Sequence, residues 1–301
     1  MLVGKWVRVL KKAVMNSDRN HTMAFAAGLS YYFLLSLFPA LIAMSAVVGF
    51  LPLPHLFSQI LELMARFVPE DSMGVVRRVL TDVVTSRRGA LLSFGLIGTL
   101  WTASSGFAGM IEALNVAYNV PETRPYWKTR GLSLILTFVA GGLLLLALGP
   151  MLVGPKFGEW MARDLGVSYL WARIWPVLRW TVSGGFIVMA VESMYFLAPN
   201  VKQRFGHTLG GAVFAVATWL ALSFALGIYF QNFANLNRTY GVLGGGIALM
   251  TWLYWSSFVI LLGAEINGEL LQENGGGTLP LKQALPERTN AATEKESNLA
   301  A

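Results

Sequence analysis

Three glutamates hold most of the chemistry that this sequence carries within its apolar stretches: Glu112, Glu192 and Glu265. Each stands at or next to the end of a stripe of residues spaced three or four apart, many of them small or polar. One runs Gly95, Gly98, Thr102, Ser105, Gly109, Glu112; another runs Thr181, Gly184, Val188, Glu192, Tyr195; the third runs Gly244, Ala248, Thr251, Trp255, Phe258, Leu262, Glu265. That spacing sets side chains on one face of a helix. A carboxylate at membrane depth costs on the order of 2.5–3.5 kcal/mol, so it takes a partner or a path to water. Its chemistry there is electrostatic. It can line a polar vestibule open to the cytoplasm, or it can cap a helix end tied to a loop arginine. The cations within reach are Arg124, Lys128, Arg130, Lys202 and Arg204, with Arg124 foremost. Glu112 and Glu265 stand near the ends of their stretches, where the capping role suffices. Glu192 lies seven residues before Pro199, roughly 10 Å deep at helical rise, and is the least able to reach water.

Other chemistries find little support. The sequence has no cysteine, which removes disulfides, thiol nucleophiles and thiolate metal sites. His21, His55 and His207 are scattered without metal-ligand spacing. Phosphate-cradling loops and Walker motifs are absent, and the glycines of "GVLGGG" at 241–246 fit close helix packing or a hinge. The expectation is a protein that is not an enzyme, with no metal and no cofactor.

The elements that would position the glutamates are membrane helices. Hydrophobic residues make up 55% of the 301 and charged residues 13%, about half the charge of a soluble domain. Six apolar stretches, at 24–50, 90–111, 131–153, 177–198, 208–231 and 242–266, are each near the roughly 20 residues that cross a bilayer. Lipid offers the backbone no hydrogen bonds, so these are helices, not open sheet. The fold class is therefore all-α and polytopic, with a domain of six transmembrane helices over 23–267. In the first span Gly28, Tyr32, Ser36, Pro39 and Ala43 share one stripe and Leu29, Phe33 and Leu37 oppose it. Tyr32 is then expected to face inward and Pro39 to kink the helix.

Residues 1–22 read as a basic amphipathic interfacial helix, with Val3, Val7, Leu10, Val14 and Trp6 against Lys5, Arg8, Lys11 and Lys12. The connection 52–89 reads as amphipathic helices outside the membrane. The segment 268–301 is polar and punctuated by Gly and Pro, as a disordered cytoplasmic tail would be. The +7 net charge points to anionic lipid headgroups rather than nucleic acid. Thirteen of the 23 Lys and Arg residues fall in the flanks that an N-in chain places inside. The apolar run begins only at residue 24, so no removable signal is expected.

Four passages together resemble the YihY/BrkB family of bacterial inner-membrane proteins. They are "AFAAGLSYYFLLSLFPALI", "ALNVAYNVPETRPYWKTR", "YFLAPNVKQRFGHTLGGAVFAVATWLALSFALGIYF" and "YGVLGGGIALMTWLYWSSFVILLGAEING", and the likeness extends over about residues 10–270. The matching positions include Tyr31, Tyr32, Ser36, Pro39, Asn115, Arg124, Pro199, Asn200, Trp219, Tyr240, Gly241, Gly244, Trp252, Gly263, Glu265 and Asn267; Glu192 falls outside the pattern. The resemblance implies six spans in a bacterial cytoplasmic membrane and a link to serum resistance or to envelope export. An older label, ribonuclease BN, attaches to some members. It implies no catalytic role for any residue here.

The expected function is transporter-like. A lipid or other envelope-related amphiphile would pass through a polar cavity facing the cytoplasm, lined by candidates Glu112, Glu192, Glu265, Arg124, Tyr32, Thr102 and Tyr195. A non-transporting membrane scaffold or envelope-integrity factor is the alternative, and a ribonuclease is disfavoured. This topology predicts that reporter fusions after Asn274 report the cytoplasm and fusions near Asp71 the outside; an odd number of crossings contradicts it.

Overall fold

The computed structural model describes residues 2–50, 89–152, 168–232 and 242–273. The described chain forms α1 (Leu2–Arg19), α2 (Thr22–Phe50), α3 (Gly89–Ala117), α4 (Tyr126–Leu152), α5 (Ser168–Leu197), α6 (Leu209–Asn232) and α7 (Val242–Glu273). The amphipathic helices expected over 52–89 and the tail from residue 274 fall outside the described residues. α2 continues through Pro39 to Phe50 as a single helix.

Among the described residues, four helices are long and apolar enough to cross a membrane: Tyr126–Leu152, Ile174–Leu197, Leu209–Phe230 and Gly244–Glu273. Within α2, Thr22–Leu37 is a shorter apolar stretch. α7 does not stop at Ile266, where the apolar run ends. It continues through Gly268, where the tail was expected to begin, to Glu273. The reason is packing: Asn267 and Glu269 are buried, so the polar turn is still half of an interface.

α2 through α7 form a closed ring in which each helix packs on its neighbours in sequence and α7 returns to α2. α7 also touches α3, and α1 lies across α7. The α1–α2 link, the α3–α4 and α5–α6 turns and the C-terminus of α7 gather at one end, here called proximal, and the described core is densest there. Val9 and Ala13 of α1 are buried against Ile266, with Leu262, Leu270 and Phe214 packed around them. α1 is thus docked on the ring. The apolar side chains Val7, Leu10 and Val14 stay exposed beside that contact.

Without a hydrophobic drive between helices in lipid, close approach and interhelical hydrogen bonds hold the ring. α6 and α7 cross at Gly211 and Gly263. A Cβ on Gly263 would lie 2.8 Å from the Gly211 carbonyl oxygen and 2.9 Å from the Ala215 Cβ. Further along, Trp219 Nε1 donates to Ser256 Oγ and Trp252 Nε1 donates to Ser223 Oγ, each at 3.0 Å. The reciprocal pairs satisfy both indoles across one antiparallel interface.

The α2–α3 contact corrects the expected face of α2. Leu29 is buried, and a Cβ on Gly109 would stand 3.4 Å from its side chain; a Cβ on Gly106 would stand 3.2 Å from Phe33. Tyr32 shares this contact, its ring also 3.4 Å from the Gly109 Cβ, but it remains 46% exposed, and Gly28 meets open space. Small residues do mark the packed face on α3, but they receive large side chains from α2 rather than matching small ones.

Overpacking a tight crossing costs about 1–3 kcal/mol. Gly211→Ala and Gly263→Ala are therefore expected to lower the melting temperature of the detergent-purified protein. Gly141→Ala and Gly227→Ala, where the added Cβ meets nothing within 4 Å, should not; equal loss in all four variants contradicts the crossing.

Candidate functional site

The first turn of α6 begins inside the proximal core, so its N–H groups need acceptors from the protein. Asn267 of α7 meets one of them, and Glu192 of α5 holds the turn that leads into the helix. Asn267 of α7 accepts from Gly211 N through Oδ1 and donates through Nδ2 to the Thr208 carbonyl, both at 2.9 Å. Glu192 of α5 accepts at Oε1 from Gly206 N (2.9 Å) and Thr208 Oγ1 (2.7 Å). Gly206 has φ +90, a conformation that glycine adopts without steric cost. A carboxylate at a helix N-terminus also gains from the helix dipole. Glu192 is 1% exposed, and none of the described lysines or arginines pairs with it. Its Oε2 is buried and accepts no hydrogen bond.

Two tyrosines adjoin this cap. Tyr195, fully buried, donates to the Ile260 carbonyl at 2.5 Å, and Gln203 Nε2 donates to the Tyr195 carbonyl at 2.5 Å. Tyr118, just beyond the last residue of α3, is also fully buried. Its hydroxyl lies beside the Asn267 and Gln203 side chains. Burial pushes this phenol up, and the nearby Glu192 charge adds to the effect.

A second knot ties the α3–α4 turn to the α5–α6 turn. Asn115 donates to Glu122 Oε2 at 2.8 Å and accepts from Asn200 N at 2.7 Å. Asn200 Nδ2 donates to the Pro121 carbonyl (3.0 Å) and Thr123 Oγ1 (2.8 Å). Arg124 meets Glu122 with a fork of 2.8 and 2.6 Å and reaches the Ala198 carbonyl at 2.8 Å. Partial burial would raise the Glu122 carboxyl, but the hydrogen bonds from Arg124 and Asn115 hold it below its ordinary value.

Glu265 is served by the α1–α2 link. Its Oε1 accepts from Asn20 Nδ2 (2.9 Å) and Thr22 Oγ1 (3.3 Å), while its buried Oε2 accepts none. Beside it Glu269 accepts from Asn16 Nδ2 at 2.5 Å and lies 3.5 Å from Lys12 Nζ.

The structure brings Glu192, Tyr195 and Glu265 into the proximal core and leaves Glu112 on the surface. The buried face of α3 there is Met110, Ala113, Leu114 and Ala117, which turns Glu112 away. Thr102 is also exposed, as is Tyr32. Arg124 pairs with Glu122 and with none of the three glutamates. Arg130 stacks over the Trp101 ring at 4.1 Å and donates to Ser105 Oγ, so it too is engaged elsewhere. Glu122, Tyr118, Thr208 and Gln203 were not singled out from sequence. Glu122 carried a signal, standing two residues before Arg124 in a turn bounded by Pro121 and Pro125. The other three earn their roles through contacts between distant segments. Among the described residues no group of three or more His, Asp or Glu could hold a metal ion.

Long apolar helices in a ring, with buried polar groups at one end, define an all-helical membrane protein. The chain belongs to the BrkB family: the model described as "Virulence factor BrkB" matches residues 13–287. It is 37% identical over 245 residues to "Putative ribonuclease-like protein YfkH" of Bacillus subtilis, covering 81% of this chain and 88% of that one. It is 29% identical over 248 residues to a "UPF0761 membrane protein" of Tolumonas auensis, covering 81% and 79%. No solved structure matches.

Because the Glu122 carboxyl is held low, its contribution to the knot is present at and above the ordinary carboxylate pKa. It is lost as pH falls through the lowered folded value. Arg124→Ala is expected to destabilise by about 1 kcal/mol, the net worth of a lost hydrogen-bonded contact. Glu122→Gln should flatten the acid limb of a plot of melting temperature against pH. An unchanged acid limb contradicts the role given to Glu122.

Proposed function

We propose that this protein is a six-span protein of the bacterial inner membrane, with both termini in the cytoplasm. It moves or handles a lipid or another envelope-related amphiphile through a polar cavity facing the cytoplasm, and it is not an enzyme. The observation that carries this reading is Glu192, a buried carboxylate with one oxygen unpartnered, set among small polar groups inside a helix ring. α2 and α3, at 29 residues each, are long enough to complete the six crossings. An even number of crossings returns α7 to the side of α1, and the density of Lys and Arg in α1 favours the cytoplasm. The exposed apolar side chains of α1, flanked by Lys5, Arg8, Lys11 and Lys12, suit the plane of anionic headgroups. A family description that reads as a virulence factor accords with a role at the envelope.

The test is reconstitution of the full chain into liposomes carrying labelled lipids. The wild type should accelerate lipid movement between leaflets over empty liposomes. Glu192→Gln should slow it about tenfold, the effect of losing roughly 1.4 kcal/mol. Movement no faster than in empty liposomes would replace transport with the scaffold or envelope-integrity role.

A further inference from the structure

We propose that the outer groove between α3 and α4 holds the phosphate headgroup of one anionic phospholipid, with the Arg130 guanidinium as its anchor. Arg130 stands one turn into α4 and is partly buried. Its guanidinium stacks over the Trp101 ring at 4.1 Å. Nη2 donates to the Trp101 carbonyl at 2.6 Å, and Nη1 and Nη2 donate to Ser105 Oγ at 3.4 and 3.3 Å. These neutral contacts fix the group in place and leave its charge unanswered. None of the ion pairs among the described residues includes Arg130, and its Nε has no acceptor. α3 carries one carboxylate, Glu112, seven residues on from Ser105, roughly 10 Å along at helical rise. A cation held against apolar helices is costly without a counter-charge.

The surroundings of Arg130 select the anion. The groove faces outward: Trp101 is 55% exposed, and Thr102 and Glu112 on this side of α3 are exposed, whereas Met110, Leu114 and Ala117 hold its buried side. α4 is long and apolar enough to cross a membrane, so its outer side meets lipid. Tyr126 and Trp127, four and three residues before Arg130, share its face of α4 and are 64% and 79% exposed. Tyr and Trp collect where hydrocarbon gives way to headgroups, which sets Arg130 roughly one turn, about 5 Å, inside that level. The anion that a bilayer supplies there is the phosphodiester. A guanidinium matches it in charge and in hydrogen-bond geometry, and the Tyr126 hydroxyl and Trp127 indole N–H are further donors within a turn. Beyond Arg130 the same stripe runs through Leu134 to Phe138, 62% exposed, an apolar wall for the acyl chains. A headgroup without its own ammonium, such as that of phosphatidylglycerol, gains most from Arg130, because a zwitterionic one brings its own cation.

This inference concerns binding at the outer wall and does not rest on the transport reading. The full chain, purified and delipidated in dodecyl maltoside, would be unfolded thermally against rising phosphatidylglycerol, phosphatidylcholine or inorganic phosphate. Phosphatidylglycerol should raise the midpoint saturably, as a ligand of the folded state does, and the other two should not. Arg130→Gln keeps an amide donor for Ser105 and removes the charge. It should raise the half-saturating phosphatidylglycerol concentration about tenfold, one charge-assisted contact's worth of affinity. Lys128→Gln, at an exposed cation two residues away on the other side of α4, should leave that concentration unchanged. An equal rise in both variants, or a wild-type response to phosphatidylcholine or inorganic phosphate equal to that to phosphatidylglycerol, overturns the site. If Arg130→Gln fails to fold, the wild type decides. Phosphatidylglycerol carrying a photoreactive headgroup should label peptides that contain Trp101 or the 126–130 turn, and labelling confined to other parts of the chain overturns the proposal.

Discussion

The N–H groups that open α6 lie away from water, and the arrangement of the proximal end follows from satisfying them. A buried donor left unmet costs about 1–3 kcal/mol. Asn267 meets the Gly211 N–H from α7, and Glu192 of α5 holds Gly206 and Thr208 just ahead of the helix, so three helices must present matched levels to one another. That match fixes two further features. Gly206 takes a positive φ to aim its N–H at the carboxylate, and Gly211 and Gly263 must both lack a side chain for α6 and α7 to come close enough.

A second consequence concerns the chain ends. α7 outruns its apolar stretch, and its surplus turns carry Glu269 and Glu273 toward Asn16, Lys12 and Lys5 of the first helix, extending the contact of Glu265 with Asn20 in the α1–α2 link. The exposed lysine contacts contribute little by themselves. The part-buried asparagine contacts and the apolar pairing of Val9 and Ala13 with Ile266 are what hold α1 to the ring. Five of the sixteen positions that carry the family resemblance, Asn115, Arg124, Asn200, Glu265 and Asn267, meet in this same end of the molecule.

The helices were legible in the sequence because lipid demands long apolar runs, and those runs contrast sharply with the polar flanks. Glu192 was legible because a carboxylate inside such a run is exceptional. The packed faces were not. In lipid both sides of a helix are apolar, so Leu29 looked like a lipid-facing residue although it fills the space left by Gly109. Glu112 followed the same small-residue spacing as Glu192, yet α3 turns it outward. The partners of Glu192 were expected among loop cations, whereas the nearest donors are a glycine N–H and a threonine hydroxyl brought back by the α5–α6 turn. Arg124 was expected to neutralise the stripe glutamates and instead closes on Glu122, two residues away, and on the Ala198 carbonyl.

The central claim is that α6 is capped from outside its own chain segment, by Asn267 above all. Residue-resolved hydrogen exchange of the Gly211 amide tests it directly. In the wild type this amide should exchange slowly, as a buried and bonded donor does. In Asn267→Ala, in a protein that still folds, it should exchange faster by an order of magnitude or more, while amides in the middle of α6 keep their protection. Equal exchange at Gly211 in both proteins would contradict the claim.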